Sequence, residues 1–201
     1  GYFTAEEECD DEEPLVNADA PEIPDDGIDN DCDGIELHTI ISDPADDSTF
    51  TTTNELSGAY IGWDEDNLVF VWDFTIESNG LIWYVDLGLS GGETDFNSTR
   101  GYGGAFPAEI VHDQSIEAMF AFYGAGDPSV YSVTDGSSSD ISGQALALER
   151  TTSLADGTPG QARVMIPWSA LYGTPAGTVP SGAALNILGA IRGQNDNDSM
   201  G

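Results

Sequence analysis

The chain has 201 residues, and its 37 acidic residues outnumber 4 basic ones, which leaves a formal net charge of −33 at pH 7. This charge argues against binding to nucleic acid or to an anionic membrane surface, because both partners require clusters of Lys and Arg. Two interpretations remain, namely a solvated anionic surface of the kind that salt-adapted proteins carry, or the binding of divalent cations.

The first 36 residues hold fifteen of the acids and no basic residue, and they show almost no apolar pattern. This composition is typical of a disordered segment unless a cation neutralises its charge. Because the chain begins at Gly1 rather than at a methionine, we expect the processed form of a secreted or cell-surface protein. We therefore predict an acidic segment over residues 1–36 and a β-sandwich domain over residues 37–201.

Three aspartates alternate near the end of the acidic segment. Asp29, Asp31 and Asp33 have the spacing i, i+2, i+4, and Gly34 follows them. In the first half of an EF-hand loop this spacing directs alternate oxygens to one ion, and the glycine permits a sharp turn. Carboxylate oxygens are hard ligands that favour Ca²⁺ over softer metals, so the pattern predicts calcium as the cofactor.

The EF-hand pattern is incomplete, because Ile40 stands where an EF-hand has its bidentate glutamate. Other acids must complete the ion shell, and we predict them among the nearest ones: Asp10, Asp11, Asp25, Asp26 and Glu36. The alternative is a flexible acidic linker. A linker, however, has no need of a glycine after the third alternating aspartate or of a cysteine inside the pattern.

A longer stretch around these aspartates resembles a known family. It consists of Cys9-Asp10-Asp11, then residues 17–23 (Asn-Ala-Asp-Ala-Pro-Glu-Ile), then residues 26–34 (Asp-Gly-Ile-Asp-Asn-Asp-Cys-Asp-Gly). Together these parts look like the MopE-type metal-binding motif of secreted and surface proteins of bacteria. The resemblance implies a metal site over residues 9–36.

The cysteines depart from the usual form of that motif, which has a third cysteine just before the Asp-Gly-Ile-Asp run. Here that place reads Pro24-Asp25-Asp26, which leaves Cys9 and Cys32 to pair in a disulfide. The family name is associated with copper, but we do not carry copper over. Copper needs His, Met or thiolate ligands, and the chain offers two histidines and two cysteines that we expect to be paired.

Residues 37–201 alternate short apolar runs with Gly, Ser and Thr turns, which is typical of an all-β sandwich or barrel. The clearest strands cover residues 67–76 and 81–89, with every second residue apolar, and Asn79-Gly80 between them predicts a β-hairpin. Gly and Pro interrupt the helical windows, so one helical turn is predicted, at Trp168–Tyr172. Further predicted strands cover residues 58–63, 116–123, 129–133, 144–149, 161–166 and 185–192.

Residues 58–74 and 163–173 are similar to β-sandwiches of the DOMON and carbohydrate-binding type, in which a late strand ends in an Ile-Pro-Trp-x-x-Leu turn. The resemblance implies a jelly-roll-like antiparallel sandwich and suggests glycan binding. We assign Trp72 and Trp83 to the core and Trp63, beside three acidic residues, to the surface. A polar ligand face would comprise Tyr84, Asp86, Asp73 and Trp63, with Thr75 and Arg192 nearby. The alternative is an ordinary solvated sheet face.

The chain contains no nucleophile elbow, no HExxH and no phosphate-binding glycine loop, so we predict a protein without catalytic activity. The sequence favours an extracellular calcium-binding protein with a sandwich that binds a partner or assembles. One alternative is a carbohydrate-binding module, with glycans as partners. The other is a self-assembling fibre or sheath subunit, in which the N-terminal segment adds to a neighbour's sheet and calcium screens the charge between copies. No membrane insertion is expected.

Overall fold

The computed structural model describes residues 16–18, 20–43, 55–76, 79–89, 91–92, 115–123, 127–134, 137–150, 158–173, 184–193 and 199–200. These residues form eleven strands, one short helix and one turn of 3-10 helix at Ser142–Gln144. The elements are β1 (His38–Ser42), β2 (Glu55–Trp63), β3 (Asn67–Thr75), β4 (Asn79–Asp86), β5 (Ala118–Tyr123), β6 (Ser129–Thr134), β7 (Ser137–Asp140), β8 (Ala147–Arg150), β9 (Pro159–Pro167), α1 (Trp168–Tyr172), β10 (Asn186–Gly193) and β11 (Ser199–Met200).

The strands form two antiparallel sheets. The first sheet has the order β1-β2-β3-β9-β8, and the second has the order β11-β10-β4-β5-β6-β7. Aromatic rings from the two sheets meet between them. The ring centroids of Phe70 and Trp83 lie 5.1 Å apart, and those of Trp72 and Trp83 lie 6.5 Å apart. The predicted β-sandwich is therefore confirmed.

The predicted alternation of apolar residues correctly identifies the side chains that form the core. In β3 the side chains of Leu68, Phe70, Trp72 and Phe74 are buried, and they belong to the main apolar cluster. Leu81, Trp83, Val85 and Leu87 of the second sheet belong to the same cluster. Because successive side chains of a strand point to opposite faces, one inner face of each sheet fills the space between them. The assignment of Trp72 and Trp83 to the core is confirmed.

The predicted hairpin between these two strands is wrong. β3 pairs with β2 and β9 in the first sheet, whereas β4 pairs with β10 and β5 in the second. Pairing in one sheet would place Trp72 and Trp83 side by side on one face. Because β4 lies in the opposite sheet, the two tryptophans instead pack against each other across the core. The free energy gained by burying them outweighs the local preference of Asn-Gly for a tight turn.

The helical turn at Trp168–Tyr172 is confirmed, as are strands within the other predicted ranges, although the strand predicted at 144–149 begins only at Ala147, after the 3-10 turn. The Trp168 backbone N–H donates to the Asp66 carbonyl at 2.9 Å, and the indole N–H donates to the Asp64 carbonyl at 3.1 Å. These bonds attach α1 to the turn between β2 and β3. Strands β1, β7 and β11 were not predicted. No helix in the described part of the chain is long and apolar enough to cross a membrane.

The outer face of the first sheet is also apolar, and the end of the acidic segment covers it. Ile35 and Leu37 are buried against Val69 and Val71 of β3. An alanine at Gly62 of β2 would place its Cβ 2.5 Å from Ile35 Cγ2 and 2.7 Å from the Glu36 carbonyl oxygen. The absent side chain at Gly62 therefore allows the segment to lie directly on the sheet.

Deletion of residues 1–36 is expected to leave a sandwich that still unfolds cooperatively, because the main cluster lies entirely beyond them. We expect the free energy of unfolding to fall by at least about 1.5–3 kcal/mol, the value of burying one large aliphatic side chain such as Ile35, because Val69 and Val71 also lose their cover. Urea unfolding followed by tryptophan fluorescence measures both quantities. The full chain with Ile35→Ala is the matched control for the packing loss. A broad, non-cooperative transition of the deletion variant would contradict the predicted division at residue 36.

Candidate metal site

The acidic segment folds as a series of turns around one buried polar side chain, Asn30. The Asn30 carbonyl accepts the Asn17 N–H at 2.9 Å, and its side-chain oxygen accepts the Ile23 N–H at 2.7 Å. Its side-chain amide donates to Asp26 Oδ2 at 3.3 Å. Asn30 is only 6% exposed, so these bonds are shielded from water. They hold Asn17 and Ile23 against the loop that follows Asn30.

Residues 29–34, here called the metal loop, are organised by their own carboxylates. Asp29 accepts the N–H groups of Asp33 at 3.1 Å and Gly34 at 2.9 Å. Asp31 Oδ1 also accepts the Asp33 N–H, at 3.2 Å. Gly34 has φ +87°, a left-handed conformation that glycine adopts without strain. The loop therefore has the sharp turn that the alternating aspartates and the glycine predicted.

Glu22 joins the metal loop from the preceding turn. Glu22, Asp29 and Asp31 each offer one oxygen, and the three oxygens lie within 4.8 Å of one another. We call these three residues the carboxylate cluster. Glu22 Oε2 accepts the N–H groups of Asn30 at 3.0 Å and Asp31 at 3.2 Å. Glu22 Oε1 is buried and has no hydrogen-bond donor among the described residues.

The cluster fits a hard divalent cation. Its donor atoms are all carboxylate oxygens, which is the ligand chemistry of Ca²⁺ and Mg²⁺. A buried acceptor without a donor, such as Glu22 Oε1, is costly, and a cation would satisfy it. Burial raises the pKa of Glu22, and burial followed by the charge of Asp33 raises the pKa of Asp31. The ion-free protein therefore holds these charges at a free-energy cost that a cation would remove.

The structure brings together only part of the predicted ligand set. Asp29 and Asp31 meet in the cluster. Asp33 uses Oδ1 to accept the Ile35 N–H at 2.8 Å, and its Oδ2 contacts the guanidinium of Arg163 on β9. Asp10 and Asp11 lie outside the described residues, so their predicted role is neither supported nor contradicted.

The remaining predicted ligands accept backbone N–H groups, and their binding to an ion stays a prediction. Asp25 Oδ2 accepts the Thr39 N–H at 3.1 Å, and its Oδ1 lies 3.6 Å from His38 Nδ1. Hydrogen bonds from Thr39, and secondarily the contact with His38, lower the pKa of Asp25. Asp26 accepts the Ile28 N–H at 2.9 Å, and Glu36 accepts the Gly27 N–H at 3.0 Å.

Glu22 was not among the residues predicted from sequence. It lies seven positions before Asp29, outside the alternating run, and nothing in the spacing relates the two. One feature could have pointed to it, because Glu22 is the one acid in the Pro21-Glu22-Ile23 part of the motif. The turns built on Asn30 bring it to the metal loop, and that arrangement depends on tertiary hydrogen bonds.

A cavity of about 400 Å³ lies between the metal loop and the outer face of the first sheet. Asp31, Asp33 and Glu22 line one side, and Arg163, Arg150 and Gln161 line the other, with Ile35 and Val71 also in its wall. The cavity therefore joins the candidate metal site to two of the four basic residues in the chain.

The four residues of the predicted ligand face do not share a surface. Tyr84 and Asp86 belong to β4 in the second sheet and are 1% and 2% exposed. Asp73 belongs to β3 in the first sheet, where it accepts hydrogen bonds from Tyr60 and Gln161. Trp63 ends β2, is 54% exposed and lies 5.3 Å from the His38 ring. The hairpin that would have joined these strands in one sheet does not form, and this separates the four residues.

Cys32 lies within the metal loop, with φ +61°. The described part of the chain contains no free cysteine. Its expected partner, Cys9, lies outside the described residues, so the pairing stays a prediction.

Comparison with known proteins gives one match. A family model described as "Putative metal-binding motif", of the MopE type, matches residues 9–36. The match covers the carboxylate cluster and the metal loop, so the motif and the geometry both point to metal binding by this segment. No curated protein and no solved structure matches the chain. The resemblance of the sandwich to DOMON and carbohydrate-binding domains therefore receives no support from these comparisons.

Replacing Glu22 with glutamine is expected to stabilise the ion-free protein by about 1 kcal/mol, because it removes one of three neighbouring negative charges. The glutamine oxygen can still accept the N–H groups of Asn30 and Asp31. Thermal unfolding at pH 7 with excess chelator measures the effect. Glu65→Gln, in the exposed turn after β2, is the control for the same change in charge.

The direction in which stability changes with pH follows from the raised pKa of Glu22. Because burial raises the pKa of Glu22, the folded ion-free protein binds that proton more readily than the unfolded chain, and stability rises as the pH falls through that pKa. The advantage of Glu22→Gln should therefore shrink as the pH is lowered from 7. A Glu22→Gln variant that melts below the wild type in chelator at pH 7 would contradict this account of the cluster.

Proposed function

We propose that the protein is a calcium-binding protein of the cell exterior, with the ion held in residues 9–36 and the sandwich as its platform. The observation that carries the proposal is the carboxylate cluster of Glu22, Asp29 and Asp31 with the unsatisfied Glu22 oxygen. The family match over the same residues supports metal binding independently of the geometry.

The carboxylate ligands of the cluster suit calcium better than copper. Copper requires imidazole, thioether or thiolate ligands, and the cluster offers carboxylates alone. The nearest described histidine, His38, faces Asp25 and Trp63. Calcium takes six to eight oxygens in a flexible shell, so three carboxylates are a partial set. We propose Asp33, Asp10 or Asp11, backbone carbonyls and water for the remaining positions.

Calcium would change the energetics of the acidic segment. Two like charges about 4 Å apart cost about 4 kcal/mol at an effective dielectric constant of 20, and a divalent ion reverses the sign of this interaction. Extracellular calcium modules typically bind with Kd of about 10⁻⁴–10⁻³ M, which suits the millimolar calcium outside cells. We therefore propose that calcium stabilises the folded segment on the sheet, and that the protein has a binding or structural role without catalysis.

Glycan binding by the sandwich remains a second proposal, and one observation favours a place for it. Trp63 is exposed at the end of β2 with its ring tilted against that of His38, which contacts Asp25, and this gives an aromatic surface flanked by polar groups. Self-assembly through strand addition remains a prediction from the sequence. Sedimentation with and without calcium would detect it.

Calcium at 1 mM is expected to raise the free energy of unfolding by about 1.4 kcal/mol for a Kd of about 10⁻⁴ M. For a domain of this size that corresponds to about 3–6 °C in melting temperature. Asp31→Ala should abolish most of the increase, since it removes a central member of the cluster. Melting curves with calcium and with chelator, read beside proteolysis of the N-terminal segment, measure both effects.

Asp140→Ala is the matched control, because Asp140 is exposed on β7 at the edge of the second sheet, whereas the acidic segment packs on the first sheet. It should retain the calcium response. Equal melting temperatures and equal protease sensitivity of the wild type in calcium and chelator would refute the proposal. The acidic segment would then be a solvated, salt-adapted surface.

Cys9 and Cys32 are expected to form a disulfide, because an oxidising exterior favours it and the chain has no third cysteine to compete. Closing a loop of this length raises the free energy of unfolding by about 3 kcal/mol in the chain-entropy model. Mass spectrometry after alkylation of the denatured, unreduced protein tests the pairing, with a reduced sample as the control. Alkylation of both cysteines without reduction would show that the bond is absent.

A further inference from the structure

We infer that Arg163 is a built-in counter-ion that holds the metal loop in the ion-free protein and lowers its affinity for calcium by competing for Asp33. The inference rests on the proposed calcium site and adds to it a residue that regulates that site. Arg163 lies on β9, outside the matched motif, so nothing in the motif assigns it a role.

The contacts of Arg163 are directed at two aspartates of the metal loop. One guanidinium nitrogen contacts Asp33 Oδ2, and the other lies 4.0 Å from Asp31 Oδ2. Between 18% and 27% of the surface of these three side chains remains exposed, so water screens the pairs less than it screens a surface ion pair. The Arg163 Nε is buried and has no acceptor among the described residues, so the side chain is held here mainly through its contacts with the loop.

Arg163 is one of the few basic residues in a strongly acidic chain, and it lies against the metal loop. The chain has 37 acidic residues and 4 basic ones, so almost every carboxylate must do without a cationic neighbour. In β9, Ala162 and Val164 face the core, and Arg163 between them faces the acidic segment. There it pairs across the sheet with Val71 of β3 and Glu149 of β8. One of the few cations therefore lies against the metal loop, next to the carboxylate cluster.

Asp33 is the residue for which Arg163 and the ion would compete. It is the third of the alternating aspartates, whose spacing predicts ligation, yet it stands outside the carboxylate cluster. Its Oδ1 accepts the Ile35 N–H, and its Oδ2 is the oxygen that Arg163 contacts. An ion that recruits Oδ2 must weaken that contact. By linkage, the contact must weaken ion binding by the same factor.

Calorimetric titration of the full chain with CaCl₂ tests the inference. Arg163→Met keeps much of the apolar stem and removes the charge, and we expect it to bind calcium about tenfold tighter at low ionic strength. The gain should shrink in 1 M KCl, where charge interactions are screened. Melting in chelator provides an independent measurement, in which Arg163→Met should be less stable than the wild type because Asp31 and Asp33 lose their counter-ion.

Two further variants are compared with Arg163→Met in the same calcium titration. Arg150→Met makes the same change in charge in the wall of the same cavity, but Arg150 contacts Asp127 at 3.3 Å. It should change calcium affinity by less than about threefold, as expected for a charge that is paired with Asp127 and screened by water. Asp33→Asn leaves Arg163 in place and removes the contested charge, so it should weaken calcium binding. It also keeps the inference testable if Arg163→Met fails to fold.

The outcomes separate this inference from the proposed function. Wild-type protein that binds no calcium overturns both. Wild-type protein that binds calcium, with Arg163→Met binding equally or more weakly, overturns the inference alone and makes Arg163 a simple attachment between loop and sheet. Unchanged affinity in Asp33→Asn overturns it as well. Tighter calcium binding together with lower ion-free stability in Arg163→Met is the result that supports it.

Discussion

The acidic segment must place several carboxylates close together on the outer face of a sheet, and backbone N–H groups are what allow it to do so. Asp26, Asp29, Asp31 and Glu22 each accept at least one backbone N–H within the segment. Hydrogen bonds to the charged form of a carboxylate offset part of the cost of its burial and of its negative neighbours. The offset is incomplete, since the pKa values of Glu22 and Asp31 remain raised. This remaining unfavourable charge is the physical reason for a cation to bind here.

The sandwich supplies the surface on which that charge is held. Its first sheet is apolar on both faces, so that Trp72 packs inward while Val69 and Val71 pack against Ile35 and Leu37. The contact requires a residue without a side chain at Gly62, where any Cβ would collide with the segment. A strand buried on both faces reads as a nearly continuous apolar run, which describes residues 68–72 of β3. The metal loop therefore depends on the sheet for its position, although its own residues make its turn.

Local patterns predicted local structure well and failed where distant residues compete. The alternation in β3 correctly identified the inner face, and Trp168–Tyr172 was correctly identified as the helical turn. The Asn79-Gly80 turn predicted a hairpin that does not form, because each flanking strand finds its partners elsewhere in the chain. Because of the same error, Tyr84 and Asp73 were predicted to lie on one face, although they belong to different sheets. Sheet membership depends on which strands bury each other, and no short window of sequence contains that information.

The sequence by itself determined the turn of the metal loop, since the carboxylates of Asp29 and Asp31 accept the N–H groups of Asp33 and Gly34 within six residues. It also determined the apolar faces of the main strands, because side-chain direction in a strand follows from a period of two. Only the tertiary structure decided that Glu22 joins Asp29 and Asp31, and that Arg163 faces Asp33 across 130 positions of the chain. Such pairs are set by the packing of the segment on the sheet, and the energy of that packing is distributed over residues far apart in sequence.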